Sequence, residues 1–292
     1  MSKKAALGER LFNEKILSLD SSISCASCHK PSFAFADTVA FSSGIYGRLT
    51  TRNVPSVMNV MNRSFFFWDG RAETLQEQAL IPLQHPNEMA LPITEAVKRL
   101  NASADYRKAF KQVYGKLPSA ERMLDAIAAY EETLETADTK FDGVADGEGT
   151  LSDSEERGRQ LFVGNKAKCF DCHNMEDFTD DDFKNIGLFN GKNLNDSGRY
   201  LISRDPNDIG KFKTPGLRNV AVTAPYMHNG MFNTLEEVVD YYNDVRKIVP
   251  DAQNIDPALR KPLGLTEQEK KDLVAFLQTL TDKRFMKSRS KT

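Results

Sequence analysis

The pattern Cys-x-x-Cys-His occurs twice in this chain, as Cys25-Ala26-Ser27-Cys28-His29 and as Cys169-Phe170-Asp171-Cys172-His173. The two copies use all four cysteines and two of the four histidines, so no thiol is left for a disulfide or a nucleophile. This spacing attaches a c-type haem. Its two thiols add across the vinyl groups, and the adjacent imidazole is carried beneath the iron as proximal ligand. A zinc reading would need two distant Cys-Cys-His sets, and the repeat around the motifs argues against it. The chain is therefore read as a two-haem protein built around two covalently held cofactors.

The motifs sit inside a longer repeat. Gly8-Glu9-Arg10-Leu11-Phe12 precedes the first and Gly158-Arg159-Gln160-Leu161-Phe162 the second, each reading as the end of a helix whose Leu-Phe pair packs inward. Downstream, Ala128-Ala129-Tyr130-Glu131-Glu132-Thr133-Leu134 matches Val274-Ala275-Phe276-Leu277-Gln278-Thr279-Leu280, both with apolar residues at helical spacing. An N-terminal helix, a Cys-x-x-Cys-His and a crossing C-terminal helix are the elements of a cytochrome c domain. The expected fold class is mainly α, with two such domains at 1–145 and 146–292. Between them, Asp142 to Gly149 is rich in Gly and Asp without a period. Ser152 and Glu155 then have capping-box spacing for the next helix. Further helices are expected at 73–84, 94–113, 120–137, 234–245 and 266–281, joined by long loops that the cofactors help to bury.

A net charge of -2 and a 27% charged fraction give no reason to expect nucleic acid or an anionic membrane as partner. No apolar run reaches the ~20 residues of a membrane span. Because bacteria attach c-type haem outside the cytoplasm, the expected location is the periplasm, with a leader removed ahead of Met1.

Several stretches together closely resemble the bacterial di-haem cytochrome c peroxidase and MauG superfamily. They are the Gly-x-x-Leu-Phe and Cys-x-x-Cys-His elements, Arg52-Asn53-Val54-Pro55-Ser56-Val57, Trp68-Asp69-Gly70-Arg71, Pro86-Asn87-Glu88-Met89, Leu217-Arg218-Asn219-Val220 and Thr223 to Gly230. They follow the family order along nearly the whole chain. The resemblance makes His29 the proximal ligand of a peroxide-reacting haem and Glu88 its distal acid–base group. It makes Trp68, the only tryptophan, the electronic link between the haems. It also implies an inter-domain calcium ion held by Asn53, Thr223 and Pro225. His228 and Arg218 are expected to touch haem propionates or to order the pocket.

Two positions set this chain apart within that resemblance. Well-studied peroxidases carry a distal histidine in the loop where this chain reads Phe41 to Arg48, and the expected position is Ile45. The first iron is thus expected to be five-coordinate at rest, with His85 the only nearby alternative ligand. On the second haem, the family position for the ligand opposite His173 is Tyr242, twelve residues after Gly230. Tyr242 continues the apolar face of Leu235, Val238 and Val239, while Tyr241 is rotated about 100° away. Met227 and Met231 are the fallback ligands. A tyrosine ligand points to the MauG-like branch, in which oxidising equivalents from hydrogen peroxide are shared by both haems and then spent on a partner protein, from which electrons are withdrawn. Tyr200, Tyr226 and Tyr241 are the candidate relays to the surface. The alternatives are a plain cytochrome c peroxidase fed by a small electron-transfer protein, and a non-enzymatic di-haem electron carrier. The resemblance also allows a homodimer.

Overall fold

The computed structural model describes residues 1–174 and 176–286, so the last six positions of the expected second domain lie outside it. The described chain is mainly helical, with a single two-stranded antiparallel pair, Phe183–Lys184 with Phe212–Lys213. It divides into two compact units. One comprises Met1–Phe66 and Ala72–Glu135, and the other Phe67–Arg71 and the chain from Thr136 onward. That division falls ahead of the 145/146 boundary read from composition. The stretch read as an aperiodic linker begins with a helix, Lys140–Ala145, started by the Thr139 side chain. Its Phe141 packs edge-on against Phe178 and Phe276, which makes it part of the second unit's core.

In the first unit, helix Lys3–Phe12 crosses helix Ala120–Glu131. A Cβ added at Gly8 would lie 1.8 Å from the Ala126 carbonyl oxygen, so this close backbone approach requires glycine. Leu11 and Phe12 are fully buried at the crossing, and the Phe12 ring meets Tyr130 at 5.3 Å. The second unit repeats the arrangement with helices Asp153–Val163 and Glu267–Gln278. There a Cβ at Gly158 would lie 1.9 Å from the Asp272 carbonyl oxygen, and Phe162 meets Phe276 at 5.2 Å. Gly-x-x-Leu-Phe is thus a crossing motif whose Gly and Phe do the same work twice. The leucine does not, because Leu161 is only partly buried.

The repeat extends into the loops. Asn59 and Asn219 both adopt left-handed backbone, and their N–H groups donate to Leu134 at 2.8 Å and to Leu280 at 2.9 Å. The loop at 66–72 and the loop at 226–232 are each closed by an antiparallel bridge and turn through a left-handed residue and a glycine. Trp68 in the first and His228 in the second hold the same place.

Most helices expected from the sequence form, with two corrections. The 94–113 segment is two helices, Ile93–Ala102 and Ala104–Tyr114, because Ser103 leaves helical geometry and caps the second through Tyr106 N–H. The 120–137 helix stops at Glu131, where Thr133 Oγ1 donates to the Tyr130 carbonyl and turns the chain. The Ser152–Glu155 capping box forms as read.

Candidate functional site

The first motif folds as one helical turn, Cys25–Cys28, with Ser27 Oγ accepting from Ser24 N–H at 2.9 Å. The turn leaves His29 at its end, and the chain doubles back through left-handed Ala34 and Phe35 to the Lys30–Ala36 bridge. That return places the Phe35 carbonyl 3.1 Å from His29 Nδ1. A ring nitrogen facing a carbonyl must carry the hydrogen, so Nε2 keeps its lone pair for a metal. Burial lowers the His29 pKa, which holds the ring neutral as ligation requires. Both thiols are unpaired. Burial pushes Cys25 up to about 12, with the Glu131 charge adding to it, and Cys28 up to about 11, with the Asp37 charge adding to it.

The second motif is built the same way. His173 Nδ1 lies 2.9 Å from the Phe178 carbonyl, and burial lowers the pKa of the ring. Cys169 and Cys172 are unpaired, with burial pushing them up to about 12 and about 11. In each unit two free thiols one turn apart and an imidazole with a fixed tautomer form the donor set that a covalent haem needs. Among the described residues no other group of three or more His, Cys, Asp or Glu gathers to hold a metal ion.

Above the first motif, the loop lacking a histidine is pinned to the segment carrying Glu88. Ile45 N–H donates to the Glu88 carbonyl at 3.0 Å, and Arg48 donates to the Pro86 carbonyl at 2.9 Å. Gly44 permits this contact, since a Cβ there would lie 2.0 Å from the Asn87 carbonyl oxygen. Ile45 is fully buried, so the position expected from the resemblance holds a hydrocarbon side chain inside the protein. The Glu88 side chain is 27% exposed and its charge acts on Cys28, which brings this carboxylate to the first motif. His85 lies beside it, Nδ1 to Glu88 Oε1 3.4 Å, and that Nδ1 accepts from Asn87 N–H.

In the second unit, helix Leu235–Asn243 has two apolar edges rather than one. Leu235 and Val239 enter the core with Phe162, Phe178 and Phe276. Tyr241 enters another with Leu188, Phe232 and Val245. Tyr241 is fully buried and donates to the Ile186 carbonyl at 2.7 Å, so it is a core residue and not a surface relay. Met227 and Met231 pack on that same second cluster. Tyr242 lies on the other edge, where burial and the nearby Cys172 and Cys169 raise its pKa. A phenol in this position loses its proton only to a strong positive partner.

Residues 67–71 pack with the second unit. Trp68 stands edge-on to His228, ring centres 6.4 Å apart, and His228 stacks on Phe212 at 3.7 Å. Arg199 fixes this loop by donating to the Asp69 and Gly70 carbonyls at 3.0 and 2.9 Å. Arg218 is committed elsewhere, to Asp142 at 2.7 Å and Asp177 at 3.1 Å, so it orders the protein around Phe178. Tyr226 donates to the Val220 carbonyl at 2.9 Å, and Tyr200 is half-buried at the start of a short helix. Asn53 is buried, with its amide nitrogen donating to the Val39 carbonyl at 3.1 Å. Sequence reading did not single out Phe212, Arg199 or Glu131. The only signal for Glu131 was its place opposite Leu277 in the repeat.

A family model for di-haem cytochrome c peroxidase matches residues 2–150. The methylamine utilization protein MauG of Methylorubrum extorquens is 36% identical over 281 residues, covering 95% of this chain and 78% of that protein. Cytochrome-c peroxidase IdrP1 of Denitromonas iodatirespirans is 36% identical over 312 residues, covering 95% and 81%. The crystal structure of a MauG-like protein associated with microbial copper homeostasis superposes with a TM-score of 0.91 at 36% identity, covering 98% of this chain and 93% of that one. Relatives of both kinds thus align over almost all of the chain, which carries both Cys-x-x-Cys-His motifs: this chain belongs to the di-haem cytochrome c peroxidase and MauG family.

Proposed function

We propose that the protein is a periplasmic, hydrogen-peroxide-dependent di-haem oxidoreductase of the MauG-like kind, which withdraws electrons from a partner protein. The observation that carries this reading is the unequal furnishing of the two motifs. Buried Ile45 stands in the loop where the peroxidases carry a histidine, with Glu88 beside the first motif, while Tyr242 stands beside the second. Bound haem would supply the iron that receives peroxide and takes up its oxidising equivalents. The protein's part is acid–base work, positioning and electron transfer. Glu88 takes the proton from the oxygen of peroxide that binds and returns it to the oxygen that leaves as water. Its partial exposure beside His85 allows that proton to be replenished from solvent. Tyr242 would hold the second iron as an anionic oxygen ligand, which would favour its oxidised state. Trp68, braced by Arg199 through its loop and by His228 at its edge, carries electrons between the haems. A calcium ion on Asn53, Thr223 and Pro225 belongs to the same reading, as oxygen-only donors suit that ion.

Family members named as peroxidases keep plain peroxide removal as the runner-up. Mixing the ferric holoprotein with one equivalent of peroxide separates an enzyme from an electron carrier. A rapid Soret change followed by a persistent oxidised species is expected. A slow bleach without such a species would make the protein a carrier.

A further inference from the structure

Glu131 is a carboxylic acid that the peroxide chemistry does not use. It ends helix Ala120–Glu131, is 3% exposed, and its Oε2 has no hydrogen-bond partner. Its charge acts on Cys25, one of the two anchors of the first haem. We propose that Glu131 is a redox-linked proton site of the first haem, taking up a proton when the iron held by His29 is reduced and releasing it when that iron is oxidised.

A carboxylate removed from water with neither a cation nor a hydrogen bond is costly, so the group stays protonated until a positive charge arrives beside it. Among the described residues no cationic side chain acts on this carboxylate. On the crossing helix Lys3–Phe12, Lys4 is bound to Asp125 at 3.0 Å and Arg10 lies over the Tyr106 ring at 5.0 Å, while Glu9 acts on Tyr130. On helix Leu75–Gln84, Glu77 accepts from Glu73 N–H. On helix Ile93–Ala102, Glu95 pairs with Lys98 and Arg99. The groups that do reach Glu131 are the neighbouring Glu132, the Tyr130 phenol and the Cys25 thiol, none of them cationic. Burial first, and then the Glu132 charge, push its pKa up to about 8. The negative end of its own helix acts in the same sense.

A ferric haem carries one more positive charge than a ferrous one, and Cys25 ties the macrocycle to the place where Glu131 acts. Oxidised iron therefore favours the carboxylate and reduced iron the acid. The balanced step is one electron from a one-electron donor to iron(III) and one proton from solvent to a Glu131 carboxylate oxygen. An O–H bond of solvent hydronium breaks and an O–H bond on Glu131 forms, leaving water. The repeat supplies an internal control, because the matching residue in the second unit is Leu277. The proposal depends on haem attachment at Cys25 and Cys28 and is independent of the reaction with peroxide.

Spectroelectrochemical titration of both haems in the holoprotein tests it. The first haem's potential is expected to fall as pH rises through the Glu131 range, approaching about tenfold in the reduction equilibrium per pH unit, or about 59 mV. In Glu131→Gln that slope flattens, and Glu131→Leu, which copies the second unit, serves if the amide variant does not assemble. Glu131→Asp keeps the slope, and the second haem is unchanged in all three. A first haem with no slope in the parent protein, a slope that survives in the Gln or Leu variant, or an equal change at both haems would overturn the assignment.

Discussion

Glu88→Gln is expected to slow the first reaction with peroxide by about 10²–10⁴-fold, the range for removal of a positioned proton-transfer group. Glutamine keeps the shape of the side chain, and the backbone contact from Ile45 N–H is made to the Glu88 carbonyl, which the substitution leaves in place. Haem content and the spectrum of the resting protein are therefore expected to stay as in the parent. Stopped-flow measurement of the Soret change at several peroxide concentrations reads the second-order rate constant. A Gln variant reacting at the parent rate would remove Glu88 from the chemistry. His85 would then be the group to test, since its Nδ1 lies 3.4 Å from the same carboxylate.

Tyr242→Met is expected to raise the potential of the second haem by several hundred millivolts, within the ~0.8 V span that axial ligands command. The physical cause is donor character. A phenolate is a hard anion that stabilises the oxidised iron, whereas a thioether is neutral and soft and stabilises the reduced one. The same substitution should shorten the life of the peroxide-oxidised state, because the second iron no longer holds an oxidising equivalent easily. Redox titration gives the first effect and the decay of the oxidised spectrum the second. If the potential does not move, the ligand opposite His173 lies elsewhere, and Met227 and Met231 become the residues to replace.

Much of this was legible in the sequence because it is written in local spacing. Cys-x-x-Cys-His needs only one turn of chain to bring its three groups together, and the Ser152–Glu155 capping box is equally local. What escaped depends on partners far along the chain. Gly8 and Gly158 look like ordinary helix residues until the crossing helix brings a carbonyl oxygen to within 2 Å of the missing Cβ. Glu131 beside Glu132 reads as a solvated acidic pair, and only the packing around the end of its helix puts one inside and the other out. Helical spacing correctly separated Tyr241 from Tyr242. It did not show that both edges of that helix are covered, because a second cluster built from Leu188, Val245 and Ile255 is gathered from distant segments. Likewise, Trp68 falls within the first half of the sequence yet packs with residues of the second, which no periodicity could reveal.

On the proposed function the two haems are unequal: His29 would hold an iron with an open far side, and His173 an iron closed by Tyr242. Electron paramagnetic resonance of the resting ferric holoprotein tests it most directly. One high-spin and one low-spin haem in equal amounts is the predicted result, with the high-spin signal lost on adding a small anionic ligand. Two low-spin haems in the resting protein would contradict it.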